Sequence, residues 1–119
     1  MKYSDKNSLV LGDEVCKGTE DVSALSIITS AVQRFSSKNV KFIFATHMHK
    51  LSLMNEVTDL SNIKLCHLDV DCDNKKITYS RKLRDGPGKS IYGLEVAKYV
   101  LDDIEFINNA FEIRHTIMN

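Results

Sequence analysis

At 119 residues, with 43% hydrophobic and 27% charged residues, the chain has the composition of one globular domain or of part of a larger one. Formal net charge is zero, so no basic field marks a nucleic-acid surface, and no apolar run approaches the roughly 20 residues needed to span a bilayer. The opening MKYSDKNSLVLGDE is too polar for a secretory signal, and three cysteines without zinc-like pairing fit a reducing, intracellular setting.

Residues 8–15, SLVLGDEV, start as a short continuous apolar run and break off in Gly-Asp-Glu. Such a run predicts a strand buried on both faces, as in a parallel sheet. Over residues 21–36, Val22, Leu25, Ile28, Val32 and Phe35 recur every three or four positions, one face of a helix with Asp21 as its cap. Residues 40–45, VKFIFA, form a second apolar run and end in Thr46-His47. Strand, helix, strand is a βαβ unit, whose strands run parallel through a right-handed crossover. Residues 62–70 and 76–83 read as two further strands joined by a polar turn around Asp71 and Asn74, an antiparallel hairpin. Beyond the Gly-Pro-Gly loop, Ser90 is placed to cap a helix running to about Leu101. Asp102 is placed to cap another, with Glu105 completing a capping box. Ile104, Ile107, Phe111 and Met118 give that last helix its apolar face, and the pair reads as a helix-turn-helix.

The βαβ topology has a chemical consequence. Parallel strands end on one edge of the sheet, so Asp13, Glu14 and His47 emerge together where open α/β sheets bind their ligands. An apolar strand followed by Asp-Glu is the Walker B pattern of P-loop ATPases. The first acid holds Mg²⁺, and the second orients and deprotonates the water that attacks the γ-phosphate. As a dipeptide alone this is as often a solvated turn. A histidine at the neighbouring strand end can donate a hydrogen bond to a terminal phosphate and sense its presence, although a lone histidine there is more often structural. The ordered set carries more than its parts.

The stretch DGPGKS, residues 85–90, imitates a phosphate-binding loop. The pattern G-x-x-x-x-G-K-[ST] requires glycine at position 83, where Leu83 stands, and Pro87 removes one of the backbone N–H groups that such a loop presents. It also follows the acid pair instead of preceding it. Asp69, Asp71 and Asp73 imitate the start of a calcium loop, but Asn74 stands where glycine is needed and Ser80 where the bidentate Glu belongs. Neither His47-Met48-His49 nor Cys66-His67 with Cys72 has convincing four-ligand spacing.

LVLGDEVCKGTEDVSALS, followed by FIFATHMHKL and by GPGKSIYGLEVAKYV, resembles the C-terminal part of the MutS ATPase domain. The Gly-Asp-Glu and Cys-x-Gly-Thr-Glu variants resemble a divergent MutS branch of large DNA viruses, certain bacteria and coral mitochondria. The resemblance runs from about Leu9 to the C-terminus. It implies an α/β fold: part of a P-loop, ABC-type ATPase domain with parallel sheet strands over residues 1–85, including the β-hairpin, then a helix-turn-helix dimerisation segment over 86–119. It implies that Asp13 binds the Mg²⁺ of MgATP, that Glu14 is the general base and that His47 is the switch histidine at the γ-phosphate. Gly18 and Thr19 then lie in the loop that approaches the nucleotide of a partner subunit, and Glu20 replaces the serine of many relatives. The implied partners are a second copy or a MutS-like subunit, with mismatched DNA bound through domains outside this chain and no membrane.

Two functional classes follow. One is the Walker B part of a mismatch repair ATPase, with ATP and Mg²⁺ held only together with a Walker A loop, which these 119 residues lack. The other is a non-catalytic module that pairs through the helix-turn-helix. A third reading, a chromosome-maintenance ATPase head, has no place for Ser90, Tyr92, Gly93, Val96 and Ala97.

Overall fold

The computed structural model describes residues 2–73, 76–89 and 93–118, with side chains for all of these but 72, 73 and 76. They form two compact units, one of residues up to 65 with 85–87, the other of residues 66–84 with those from 88 onward. The expected division at 85/86 is one of function. The compact units are drawn differently, the hairpin belonging with the C-terminal helices.

The first unit is the expected strand–helix–strand. Strand β1, Leu9–Asp13, pairs parallel with β2, Lys41–Ala45, in the register Leu9 to Lys41 through Asp13 to Ala45. Between them runs α1, Asp21–Ser37. Its cap is Glu20 and not Asp21: the Glu20 carboxylate accepts the Ser23 N–H at 3.1 Å and the Ser23 hydroxyl. Asp21 falls instead in the first turn, where its charge opposes the positive end of the helix dipole. The helix ends in a Schellman motif. Asn39 takes φ 52°, its N–H bonds Ser36 O at 3.1 Å, and the Val40 N–H bonds Phe35 O at 3.0 Å. That turn delivers the chain directly into β2.

Helix α1 buries Ala24, Ile28, Ala31, Val32 and Phe35. Phe35 meets the rings of Phe42 and Phe44 at centroid distances of 5.5 and 5.9 Å, in tilted and edge-on geometries that suit aromatic quadrupoles. Val22, expected on this face, is exposed. At about 100° per residue, each three-residue step lags by roughly 60°, and two such steps back from Ile28 rotate Val22 off the buried stripe. A short 3-10 turn, His49–Leu53, and α2, Asn55–Thr58, close the core with Leu51 and Val57.

Burial of the strands on both faces is not what the structure has. Their residues alternate, and Leu9, Leu11 and Ile43 are each more than 60% exposed. Helix α1 covers one face of a two-stranded sheet, and no described residue of this unit covers the other.

In the second unit β3, Cys66–Asp73, and β4, Lys76–Asp85 (its last residue counted with the first unit), pair as a two-stranded hairpin. Strand β3 starts later and runs further than the expected 62–70. Asn62 is used elsewhere, its side chain bonding Ser36 at 2.6 and 3.1 Å. Helices α3, Gly93–Val100, and α4, Ile104–Met118, pack on each other. The proposed Ser90 cap lies outside the described residues. The cap of α4 is Asp103, not Asp102: its carboxylate accepts the Phe106 N–H at 3.0 Å, so Glu105 completes no capping box. Of the expected apolar face only Ile107 is buried and Phe111 half-buried, while Ile104 and Met118 are exposed.

The two helices are tied by a bidentate ion pair, Arg114 to Glu95 at 3.0 and 3.3 Å, with the guanidinium 4.6 Å from the centre of the Phe111 ring. Burial works to raise the Glu95 carboxyl, but the Arg114 hydrogen bond, a backbone bond and the Arg114 charge outweigh it and hold Glu95 below its ordinary 4.5. A carboxylate with a depressed folded value contributes its stability above the ordinary value and loses it as pH falls through the lowered one. Acid titration followed by helical circular dichroism is expected to show α3–α4 loosening below pH 4.5. Glu95→Gln should abolish that phase, and an unchanged profile in the variant would contradict the assignment.

Candidate active site

The parallel register brings the two strand ends to one rim. Asp13 is the residue paired with Ala45, and the Glu14 N–H extends the ladder by donating to Ala45 O at 2.9 Å. Glu14 thus lies beside Thr46 and His47, which leave β2 in a turn where the Thr46 hydroxyl accepts the Met48 N–H at 3.1 Å. Asp13, Glu14 and His47 are all exposed, and His47 is close enough to act electrostatically on Glu14. Residues far apart in sequence therefore meet at one edge, as the βαβ reading requires.

The loop from Glu14 to Glu20 has an irregular backbone. Glu14 takes φ 45°, Cys16 φ 66° and Gly18 φ 101°. For the two residues with side chains this left-handed conformation costs on the order of 1–3 kcal/mol each, a strain met mostly where surrounding structure imposes it. Gly12 is also specified by its neighbours. A Cβ there would stand 2.5 Å from a Val15 methyl and 2.7 Å from the Phe44 ring, so only glycine lets Phe44 lie across the strand before the acid pair. Sequence reading left this glycine without a reason. Its signal was the bulky Phe44 two positions from Thr46, which no single-strand pattern pairs with position 12.

Sequence reading also passed over Lys17. Its ammonium donates to the Glu14 carboxylate and its N–H to Glu14 O at 3.1 Å. The hydrogen bond from Lys17 and then its charge, with a lesser contribution from His47, hold the Glu14 carboxyl below its ordinary value against the opposing effect of burial; Lys17 is raised in return. Glu14 therefore stays a carboxylate at neutral pH. The spacing of three residues was the available signal. Gly18 and Thr19 lie exposed in the same loop, Gly18 with open space around it. Glu20, itself exposed, caps α1, with the Thr19 hydroxyl at 3.5 Å.

Among the described residues no three His, Cys, Asp or Glu side chains converge in a metal-binding arrangement. Magnesium is commonly held by one or two carboxylates with substrate phosphates and water completing the shell, so the Asp13–Glu14 pair fits an ion that arrives with a nucleotide. It does not fit a free-standing cation cage. No helix of the described residues is long and apolar enough to cross a membrane.

A parallel strand pair ending in an acid pair and a histidine defines the class: a mixed α/β domain with three titratable side chains at one sheet edge. The model of the family described as MutS domain V matches residues 1–118. Over 115 residues the chain is 44% identical to the putative DNA mismatch repair protein mutS homolog L359 of Acanthamoeba polyphaga mimivirus, which covers 95% of this chain and 10% of that protein. It is 35% identical over 118 residues to the mitochondrial DNA mismatch repair protein mutS homolog of Sarcophyton glaucum, 98% of this chain and 12% of the relative. Against the DNA mismatch repair protein MutS of Clostridium perfringens it is 38% identical over 121 residues, 98% of this chain and 13% of the relative. The chain belongs to the MutS family and spans little more than a tenth of the length of these relatives.

Proposed function

We propose that the chain supplies the Walker B and switch-histidine part, together with the pairing segment, of an ATPase that couples MgATP to recognition of mismatched DNA. The observation that supports this reading is the parallel register, which sets Glu14 against Ala45 and so puts the acid pair and His47 at one rim. Asp13 is the ligand for Mg²⁺, which when bound neutralises charge on the phosphates. Glu14 takes the proton of the attacking water. His47 donates a hydrogen bond to the terminal phosphate. Gly18 and Thr19 face the nucleotide of a partner subunit. An acid at position 20 beside that phosphate would be unfavourable, and its use as a helix cap removes the objection.

Residues 1–85 belong on this reading to the P-loop ATPase domain, and 86–119 are the segment that pairs with a second copy or a MutS-like subunit. Exposed Phe106, Ile113 and Ile117 recur along one side of α4, which favours such pairing. DNA contact falls to other parts of the protein, since this segment has zero formal net charge. Phosphate binding needs a Walker A loop, which DGPGKS does not provide. Isothermal titration of the chain with MgATP should give no measurable heat of binding, and adding a polypeptide that carries the Walker A loop should give saturable binding. Absence of binding in both cases would overturn the nucleotide reading and leave the pairing module.

A further inference from the structure

Glu14 is held more firmly than an exposed carboxylate in a loop would be by chance. Its N–H is fixed to Ala45 O at 2.9 Å, its carbonyl to the Lys17 N–H at 3.1 Å, and its carboxylate to the Lys17 ammonium. Lys17 thus grips both the main chain and the side chain of one residue. The backbone bond alone closes the turn, so the ammonium contact acts on the carboxylate only. Two groups act on that carboxylate, Lys17 and His47, and Lys17 also feels the charge of the adjacent Asp13. One cation that attracts both neighbouring acids tempers their repulsion, while its hydrogen bond goes to Glu14.

Building on the reading of Glu14 as the base in MgATP hydrolysis, we propose that Lys17 is a positioning residue that fixes the Glu14 carboxylate at the end of β1, where it must meet the attacking water. A long, freely rotating glutamate side chain populates many rotamers, and proton abstraction needs one of them. A misplaced group of this kind costs about 100-fold in rate without altering how the nucleotide is bound. Arginine offers the same charge at similar reach and should serve in place of lysine.

The test has two arms. In the chain itself, side-chain ammonium NMR should show a Lys17 signal protected by its ion pair, which Glu14→Gln removes. In the MgATP-hydrolysing protein that carries this segment, Lys17→Met should lower kcat by about 10- to 100-fold. KM for ATP should stay within about twofold, since phosphate contacts are untouched, and Lys17→Arg should recover most of the rate. An unchanged kcat, a raised kcat (a carboxylate sequestered by Lys17, not positioned), or a loss that falls on KM would each overturn the proposal. Glu14→Gln separates the two levels. If that variant retains full turnover, the role of Glu14 as base is wrong; if it abolishes turnover while Lys17→Met does not, only the role of Lys17 is wrong.

Discussion

Phe35→Ala should lower the stability of the first unit by about 3–5 kcal/mol, enough to abolish its cooperative unfolding in urea. Phe35 is 2% exposed at the last buried turn of α1, where it fills the space between the helix and the inner face of β2. Its ring touches both Phe42 and Phe44, which in turn lie 4.9 Å apart, so its removal opens a cavity that two other rings can fill only by leaving the strand. Phe44 also lies over Gly12, directly before Asp13. The loss therefore reaches the rim: Glu14 N–H to Ala45 O should lose its protection from hydrogen exchange in the variant. A loss under about 1 kcal/mol would mean that the aromatic cluster does not hold the sheet to the helix.

Glu14→Gln should reduce MgATP turnover of the protein that carries this segment by about 10²- to 10⁴-fold, the usual worth of a positioned base. The amide matches the carboxylate in shape but cannot accept the water's proton. Nucleotide binding should survive, because Asp13 remains for the metal and the substitution removes a negative charge near the phosphates. Single-turnover kinetics with a separate binding measurement distinguish the two steps. Loss of binding with unchanged turnover per bound nucleotide would reassign Glu14 from proton transfer to metal holding.

Much of the first unit was legible because its signals are local and short-ranged. Two apolar runs of strand length flank a helical period, and that order favours a parallel pair. With the pair goes the shared rim of Asp13, Glu14 and His47. What escaped was decided by neighbours absent from the local pattern. Asp102 and Asp103 are equivalent as caps in sequence, and at 20–21 cap preference favours Asp21, yet the path of the chain selects Glu20 and Asp103. The continuous apolar character of β1 and β2 implied cover on both faces, yet Leu9, Leu11 and Ile43 lie open, because the pattern records a preference and not the presence of a covering layer. Gly12 was unexplained until register set Phe44 opposite it. Lys17 offered only its charge and its spacing of three from Glu14, since its reach back depends on a turn with left-handed residues that no periodicity announces. The family likeness suggests the roles of the rim residues; geometry supplied their proximity.

The central claim is that the acid pair and His47 surround one metal–nucleotide. Manganese in place of magnesium tests it directly. With the isotope-labelled chain combined with the Walker A-bearing part and MnATP, paramagnetic broadening should fall together on residues 12–15 and 46–48. Broadening of the acid pair while His47 stays sharp, or no broadening at either strand end, would contradict the account.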